Sequence, residues 1–229
     1  MGARAARPWT QSRWLAWVVI TAALIPAAWG VFAIVSDFRR GTLYMGAEPI
    51  KALEHYYGKW ILRFLIATLL VTPVRRMTGW NWLQKYRRRF GLLAFTYACL
   101  HFLTYVFIDV QVDRPGGWAN VAEDLTKRWY IIIGMAAFLL LCSLALTSTT
   151  GWVRRLGKRW TTLHRAIYVI VVLGTLHFWM SVKSDIREPA TYALIFAVLL
   201  GYRVWHSMRS PSPRPVSNRS PQPNSARSA

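Results

Sequence analysis

The sequence predicts an all-α protein: a polytopic membrane bundle of six transmembrane helices followed by a disordered C-terminal tail. Three observations predict it. Of 229 residues, 54% are hydrophobic and 13 are Trp, a composition that fits a membrane bundle better than a soluble domain. The apolar residues gather into six runs, most of them near the ~20 residues a helix needs to cross a bilayer. The 29 Lys and Arg exceed the 9 Asp and Glu, for a formal charge of +20, and the bases form short clusters between alternate runs, as in cytoplasmic loops. In a soluble chain such a charge would point to nucleic acid. Its confinement to short segments between apolar runs excludes that partner and leaves membrane lipid as the surroundings.

The basic, acid-free start MGARAARPWTQSRW leads into an apolar run too long for the core of a secretory signal, so it reads as a retained first span. That span covers residues 14–35, with Pro26 as a kink. The second covers residues 57–74 and should end at Pro73 and the Arg75–Arg76 pair. The third covers 90–110 and contains His101; the fourth covers 129–147. The fifth, 161–182, carries His164 and His177, and the shorter sixth covers 190–205. Trp14, Trp60, Trp129, Trp160, Trp179 and Trp205 crowd the ends, as an interfacial aromatic belt requires.

Orientation follows from the loops. The N-terminal bases Arg4, Arg7 and Arg13, the bases between the second and third runs (Arg75, Arg76, Lys85, Arg87, Arg88, Arg89) and those between the fourth and fifth (Arg154, Arg155, Lys158, Arg159) stand without acids. The intervening connections are mixed in sign, with Asp109, Asp113, Glu123, Asp124, Asp185 and Glu188 among their residues. The positive-inside rule then puts both termini in the cytoplasm of a multi-pass bacterial inner-membrane protein. The membrane domain occupies residues 1–206; residues 207–229, rich in Ser, Pro and Arg, cannot build a core and read as a disordered tail.

Ionisable side chains inside a span mark a functional site. His101 lies 11 residues into the third run, about 16 Å at 1.5 Å per residue. His177 lies 16 residues into the fifth from the same side, about 20–24 Å depending on where that helix begins. The two therefore sit at similar depth in the outer half, where they can give two axial nitrogens to one haem iron or bond across helices as structural histidines. His164 belongs near the cytoplasmic face, about 20 Å from His177 along the axis and about 140° around it on an ideal helix. It can ligate a second haem, meet a quinone headgroup or a flavin, or bond a neighbouring carbonyl. His55 and His206 read as interfacial. Arg63, one turn into the second span, can fork onto a haem propionate or snorkel to headgroups. Thr104 and Thr175 are the candidates for orienting the two rings. Cys99 and Cys142 lie within apolar runs, and no C-x-x-C-H is present, so covalent haem attachment is not expected.

The stretches HYYGKWILRFLIATLLVTPVRR, RRRFGLLAFTYACLHFLTY and ALTSTTGWVRRLGKRWTTLHRAIYVIVVLGTLHFWMSVKSD resemble the MsrQ (YedZ) family, haem-binding membrane subunits of the bacterial methionine-sulfoxide reductase system, within the ferric-reductase-like transmembrane group. The resemblance covers residues 55–185. It implies metal-ligating roles for His101, His164 and His177, heme b and FMN as cofactors, and electrons drawn from quinone or a cytosolic flavin reductase. It also implies delivery to a periplasmic molybdopterin-containing methionine-sulfoxide reductase subunit. In the wider group four histidines often pair around two haems; this chain lacks the fourth. No flavin motif is visible, although the bases at 87–89 and 154–159 can hold a phosphate by charge. The chain itself would transfer electrons and do no chemistry on the sulfoxide. Two other readings stay open: a stand-alone transmembrane ferric or quinone reductase, and a transporter whose histidines are structural. The first lacks a G-x-G-x-x-G after a strand, and the second lacks a mid-span carboxylate.

Overall fold

The protein is described by a computed structural model covering residues 14–182 and 185–209. The bases Arg4, Arg7, Arg13 and Lys183 and the tail from residue 210 lie outside the described residues. Those described form helices and connections, with no strand among them. In chain order the helices are α1 (Trp14–Arg40), α2 (Pro49–Thr78), α3 (Gln84–Leu103), α4 (Gly117–Lys127), α5 (Trp129–Leu146), α6 (Thr150–Leu156), α7 (Lys158–Leu163), α8 (Ile167–Ser181) and α9 (Arg187–Arg209). Five segments are long and apolar enough to cross a membrane: α1, α2, residues 81–109 around α3, α5, and residues 158–181 through α7 and α8. The sixth expected span falls on α9, which is not among these five. It has the length, 23 residues, but Arg203 and His206 dilute its apolar stretch. Its helix also runs past the expected tail boundary, so residues 207–209 are helical.

Two helix pairs carry the bundle, α2 with α3 and α5 with α8. Their shared core includes Leu65, Leu69, Ala94, Tyr97 and Val171, each essentially buried. Apolar side chains that face outward on α1, such as Trp17, Ile25 and Phe38, suit a lipid solvent. α1 is fastened by polar contacts near its proline: the Tyr97 hydroxyl donates to the Ala23 carbonyl at 2.5 Å and the Tyr57 hydroxyl to Ala27 at 3.2 Å. Pro26 has no N–H and leaves the Ala22 carbonyl without its ladder donor; the tyrosines bond the neighbouring carbonyls of Ala23 and Ala27. The turn after α1 is organised by Asp37, whose carboxylate accepts from the Thr42 hydroxyl and the Tyr44 and Met45 amides.

Three features depart from the sequence expectation. The helix does not stop at Pro73: α2 continues to Thr78 and ends on Gly79, which is left-handed at φ 74°. Pro73 cannot donate to the Leu69 carbonyl four residues back. Arg203 of α9 supplies the missing hydrogen, its Nη2 donating to Leu69 O at 2.7 Å, while Nη1 donates to the Tyr168 hydroxyl at 2.9 Å. A cation from a neighbouring helix thus replaces the lost ladder bond. Second, the connection between the third and fourth spans contains the amphipathic helix α4, tied back by Tyr105, whose hydroxyl donates to Asp124 Oδ2 at 3.1 Å. Third, the third span is not uniform: residues 104–109 form a π-helical turn just after His101, a form often found at functional sites.

α9 is pinned to α2 twice, by Lys59–Glu188 at 3.2 Å and by Arg203. All nine carboxylates lie in or beside the α1–α2, α3–α5 and α8–α9 connections, hence at one end of the bundle. The other end carries Arg75, Arg76, Lys85, Arg87–Arg89, Arg154, Arg155, Lys158 and Arg159.

The Pro73–Arg203 pairing predicts a rescue. Arg203→Met should destabilise the protein by about 2 kcal/mol, the scale of a charge-assisted hydrogen bond. Adding Pro73→Ala, which restores an N–H opposite Leu69 O, should recover part of it. Thermal unfolding in detergent of the two single variants and the double variant checks this; strictly additive losses would show that the carbonyl is not what Arg203 serves.

Candidate haem site

The two helix pairs each present one histidine. His101 stands near the end of α3 and His177 near the end of α8, and their ring centroids are 6.2 Å apart with planes at 86°. Metal–imidazole bonds of about 2 Å place two rings on one metal about 6 Å apart, centre to centre. The spacing therefore fits a shared iron, and the similar depth expected from the sequence is what the helices produce.

Each ring is held by the first helix of its own pair. His101 Nδ1 lies 3.0 Å from the Glu54 carbonyl on α2, and His177 Nδ1 lies 2.6 Å from the Tyr130 carbonyl on α5. A carbonyl only accepts, so both rings carry their proton on Nδ1 and keep the Nε2 lone pair for another partner. Histidines that ligate a metal are commonly held this way, the second ring nitrogen donating to a carbonyl that fixes the ring. Thr104 and Thr175, the candidates by sequence, do something else. Their hydroxyls donate to Leu100 and Val171, one turn back in their own helices.

Glycine explains how a ring reaches a carbonyl inside a helix. Side chains lean toward the helix N-terminus and cover the turn before them. The residue four positions after Glu54 is Gly58, and the residue four after Tyr130 is Gly134. Each leaves bare the carbonyl that the histidine uses. The fit is tighter at Gly134, where a Cβ would lie 2.6 Å from His177 Nδ1; at Gly58 it would meet His101 Cε1 at 3.8 Å. Phe178, the residue after His177, packs against His55 with centroids 6.0 Å apart, so His55 belongs to the wall beside the pair. No cluster of three or more His, Cys, Asp or Glu with metal-binding arrangement occurs among the described residues. A two-imidazole grip suits a metal whose remaining bonds come from a macrocycle. The residues present fit a haem.

The other candidates lie elsewhere. His164 sits in a short 3-10 turn, residues 164–166, between α7 and α8, so uniform 100° steps to His177 do not apply. Its ring stacks on Trp160 at 3.9 Å and its Nδ1 lies 3.2 Å from the Trp160 carbonyl, while Nε2 is buried without a protein partner. Arg63 is exposed, with its guanidinium 4.7 Å from the centre of the Trp60 ring. Nine residues after Glu54, it lies about 180° around α2 from the carbonyl that His101 uses. Arg63 stacks on the Trp60 ring and makes no contact with the histidine pair. The sequence reading had no signal for the two carbonyls. The paired glycines were visible, but only their spacing from the facing histidine gives them meaning.

A family model described as the ferric reductase like transmembrane component matches residues 57–175. A protein of Xanthomonas euvesicatoria pv. vesicatoria, named protein-methionine-sulfoxide reductase heme-binding subunit MsrQ, is 47% identical over 191 residues, 83% of this chain and 86% of its own. One of the same name from Brucella ovis is 42% identical over 206 residues, 89% of each chain. With two helix pairs each delivering a histidine and this much identity over most of its length, the chain belongs to the MsrQ family of ferric-reductase-like transmembrane components.

Proposed function

We propose that the chain is a membrane b-type cytochrome of a methionine-sulfoxide reductase system. It would relay electrons across the bacterial inner membrane, from the quinone pool or a cytosolic flavin reductase to a periplasmic molybdopterin-containing reductase subunit. The observation that carries the reading is the facing pair His101 and His177, on different helices, with both Nδ1 hydrogens committed to backbone carbonyls. The relatives' printed names support the haem and the reductase system.

When bound, haem supplies a one-electron iron couple whose potential responds to ligands, burial and hydrogen bonds. The chain's own residues do the rest. His101 and His177 are held in fixed orientation by their Nδ1 bonds and would be the protein ligands of the group. Leu53, Tyr57 and Phe178, all buried, exclude water around the helix ends that carry the rings. His164, with an unpartnered Nε2 at the opposite end, is assigned to the electron-donor side, where that nitrogen would accept a hydrogen bond from a quinol hydroxyl. No residue is assigned to FMN in this reading.

Charge supports the orientation. The basic end faces the cytoplasm under the positive-inside rule, which puts the histidine pair nearer the periplasm. Both ties between α9 and α2 support a sixth crossing, with both termini on the cytoplasmic side. Alkaline phosphatase fused after Arg114 should be active, and fused after Arg154 inactive; the reverse pattern inverts the proposed direction of transfer.

Two haem experiments test the site. The purified protein should show a low-spin b-type reduced-minus-oxidised spectrum. His101→Ala or His177→Ala should lose most of the haem per polypeptide, whereas His164→Ala should lose less. Full haem retention in both of the first two variants would falsify the ligand assignment. Gly134→Ala pushes a methyl group into the His177 ring and should weaken haem retention by about ten-fold, the lower range for disturbing a ligand's support. Gly58→Ala, with ordinary contact distances, should keep most of it.

A further inference from the structure

We propose that α4 lies in the surface of the bilayer at the carboxylate-bearing end of the bundle, with Trp118, Ala122 and Leu125 seated among lipid. Its 11 residues form three stripes along a helix of 3.6 residues per turn. Gly117, Val121 and Asp124 make the first, which faces the bundle: Gly117 is buried, and Val121 and Asp124 are partly buried. Trp118, Ala122 and Leu125 make the second. It is apolar, yet all three residues are exposed, Trp118 at 75%. Asn120, Glu123 and Lys127 make the third, which is exposed and polar, with Lys127 paired to Glu123 at 2.7 Å.

The contacts to the bundle keep the apolar stripe turned outward. Asp124 accepts from the Tyr105 hydroxyl at 3.1 Å and pairs with Arg128 at 3.2 Å. At the start of the helix, a Cβ on Gly117 would strike the Gln111 carbonyl and the Val112 Cα, so glycine is what allows this approach. Gln111 itself takes a left-handed φ of 55°, unfavourable for a residue with a Cβ. These features fix the roll of α4 about its axis and leave Trp118 away from the protein.

What covers the stripe follows from its level. Gly117 rests on Gln111 and Val112, just beyond Asp109, where the third crossing segment ends. At the other end one residue, Arg128, separates Lys127 from Trp129, where the crossing helix α5 begins. Both ends of α4 are thus held at the membrane boundary, and the helix runs along it. Trp129 is 70% exposed and Ile132, one turn further into the span, 40%; these outward side chains of a crossing helix meet lipid. The apolar stripe of α4, ending at Leu125, continues that surface. Tryptophan is enriched at the headgroup level, and a helix with one apolar and one polar face lies in the plane of the interface. A soluble protein could cover the stripe only if it stood clear of the headgroups, which the two short tethers prevent. Because α4 carries one base against two acids, its hold on the bilayer is apolar and requires no anionic lipid.

The test uses the full chain in phosphatidylcholine nanodiscs, one chain per disc, with some of the lipid carrying a photoactivatable diazirine in the upper acyl chain. After illumination of the unaltered chain, peptide mass spectrometry should place lipid adducts on Trp118, Ala122 or Leu125 as well as on Trp129, and none on Asn120 or Glu123. The variants Trp118→Cys, Leu125→Cys and Asn120→Cys then report access from water to a membrane-impermeant maleimide. The reaction is read site by site, so Cys99 and Cys142 stay in place. The cysteine of Asn120→Cys should react about ten-fold faster than those of the other two, the scale set by burying one large apolar side chain. Adding phosphatidylglycerol should leave that ratio unchanged. Absence of lipid adducts on α4 overturns the proposal. Equal reaction of Trp118→Cys and Asn120→Cys also does, since the stripe would then stand open to water and to a protein partner. A difference that arises only with phosphatidylglycerol overturns it as well, because charge and not the apolar stripe would be holding the helix.

Discussion

The hydrogen bond from each histidine ring to a backbone carbonyl of the neighbouring helix is the constraint on which the centre of this protein depends. It selects the tautomer, fixes the ring and leaves the Nε2 lone pair for another partner. It also uses a carbonyl that a side chain would ordinarily cover, and the residue four positions later is glycine on both α2 and α5, Gly58 and Gly134; only at Gly134 would a Cβ collide with the ring. The same solution is used twice, with the same separation of 47 residues between histidine and carbonyl. Two similar helix pairs then meet so that the rings lie 6.2 Å apart.

In a bilayer, backbone groups released from a helix find no water and must be satisfied by protein. Pro26 and Pro73 both lie within long helices. At the first, tyrosine hydroxyls from α2 and α3 bond nearby carbonyls; at the second, a guanidinium from α9 does so. Prolines that would terminate soluble helices become points where helices are joined. The bond from Arg203 also explains how a helix with an arginine in its apolar stretch packs into the bundle: the charge is turned toward a carbonyl and a phenol, not toward lipid.

The separation of charge gives the two ends different chemistry. The end with the histidine pair holds every carboxylate and every ion pair found among the described residues, those of Lys51, Lys59, Lys127 and Arg128. The opposite end holds guanidinium groups and His164 with unpartnered nitrogens. A bundle built this way can hold a metal centre near one face while presenting an anion-attracting surface at the other.

Much of this was legible in the residues themselves. Apolar run lengths gave all five of the segments apolar enough to cross, because the length of a crossing helix is set by bilayer thickness and not by packing. The matched depth of His101 and His177 followed from counting residues between basic clusters. Tertiary structure alone decided the rest. The partners of the histidines are main-chain atoms, which no side-chain pattern announces, so Thr104 and Thr175 were the nearest visible candidates and were the wrong ones. Pro73 reads locally as a helix stop; only a guanidinium 130 residues later makes it harmless. The placement of Arg63 depended on which side of α2 the other helices pack against. Local sequence fixes helix length and ring depth, because both depend on counting along one chain. Hydrogen-bond partners between helices depend on how separate segments meet, and that is settled only in three dimensions.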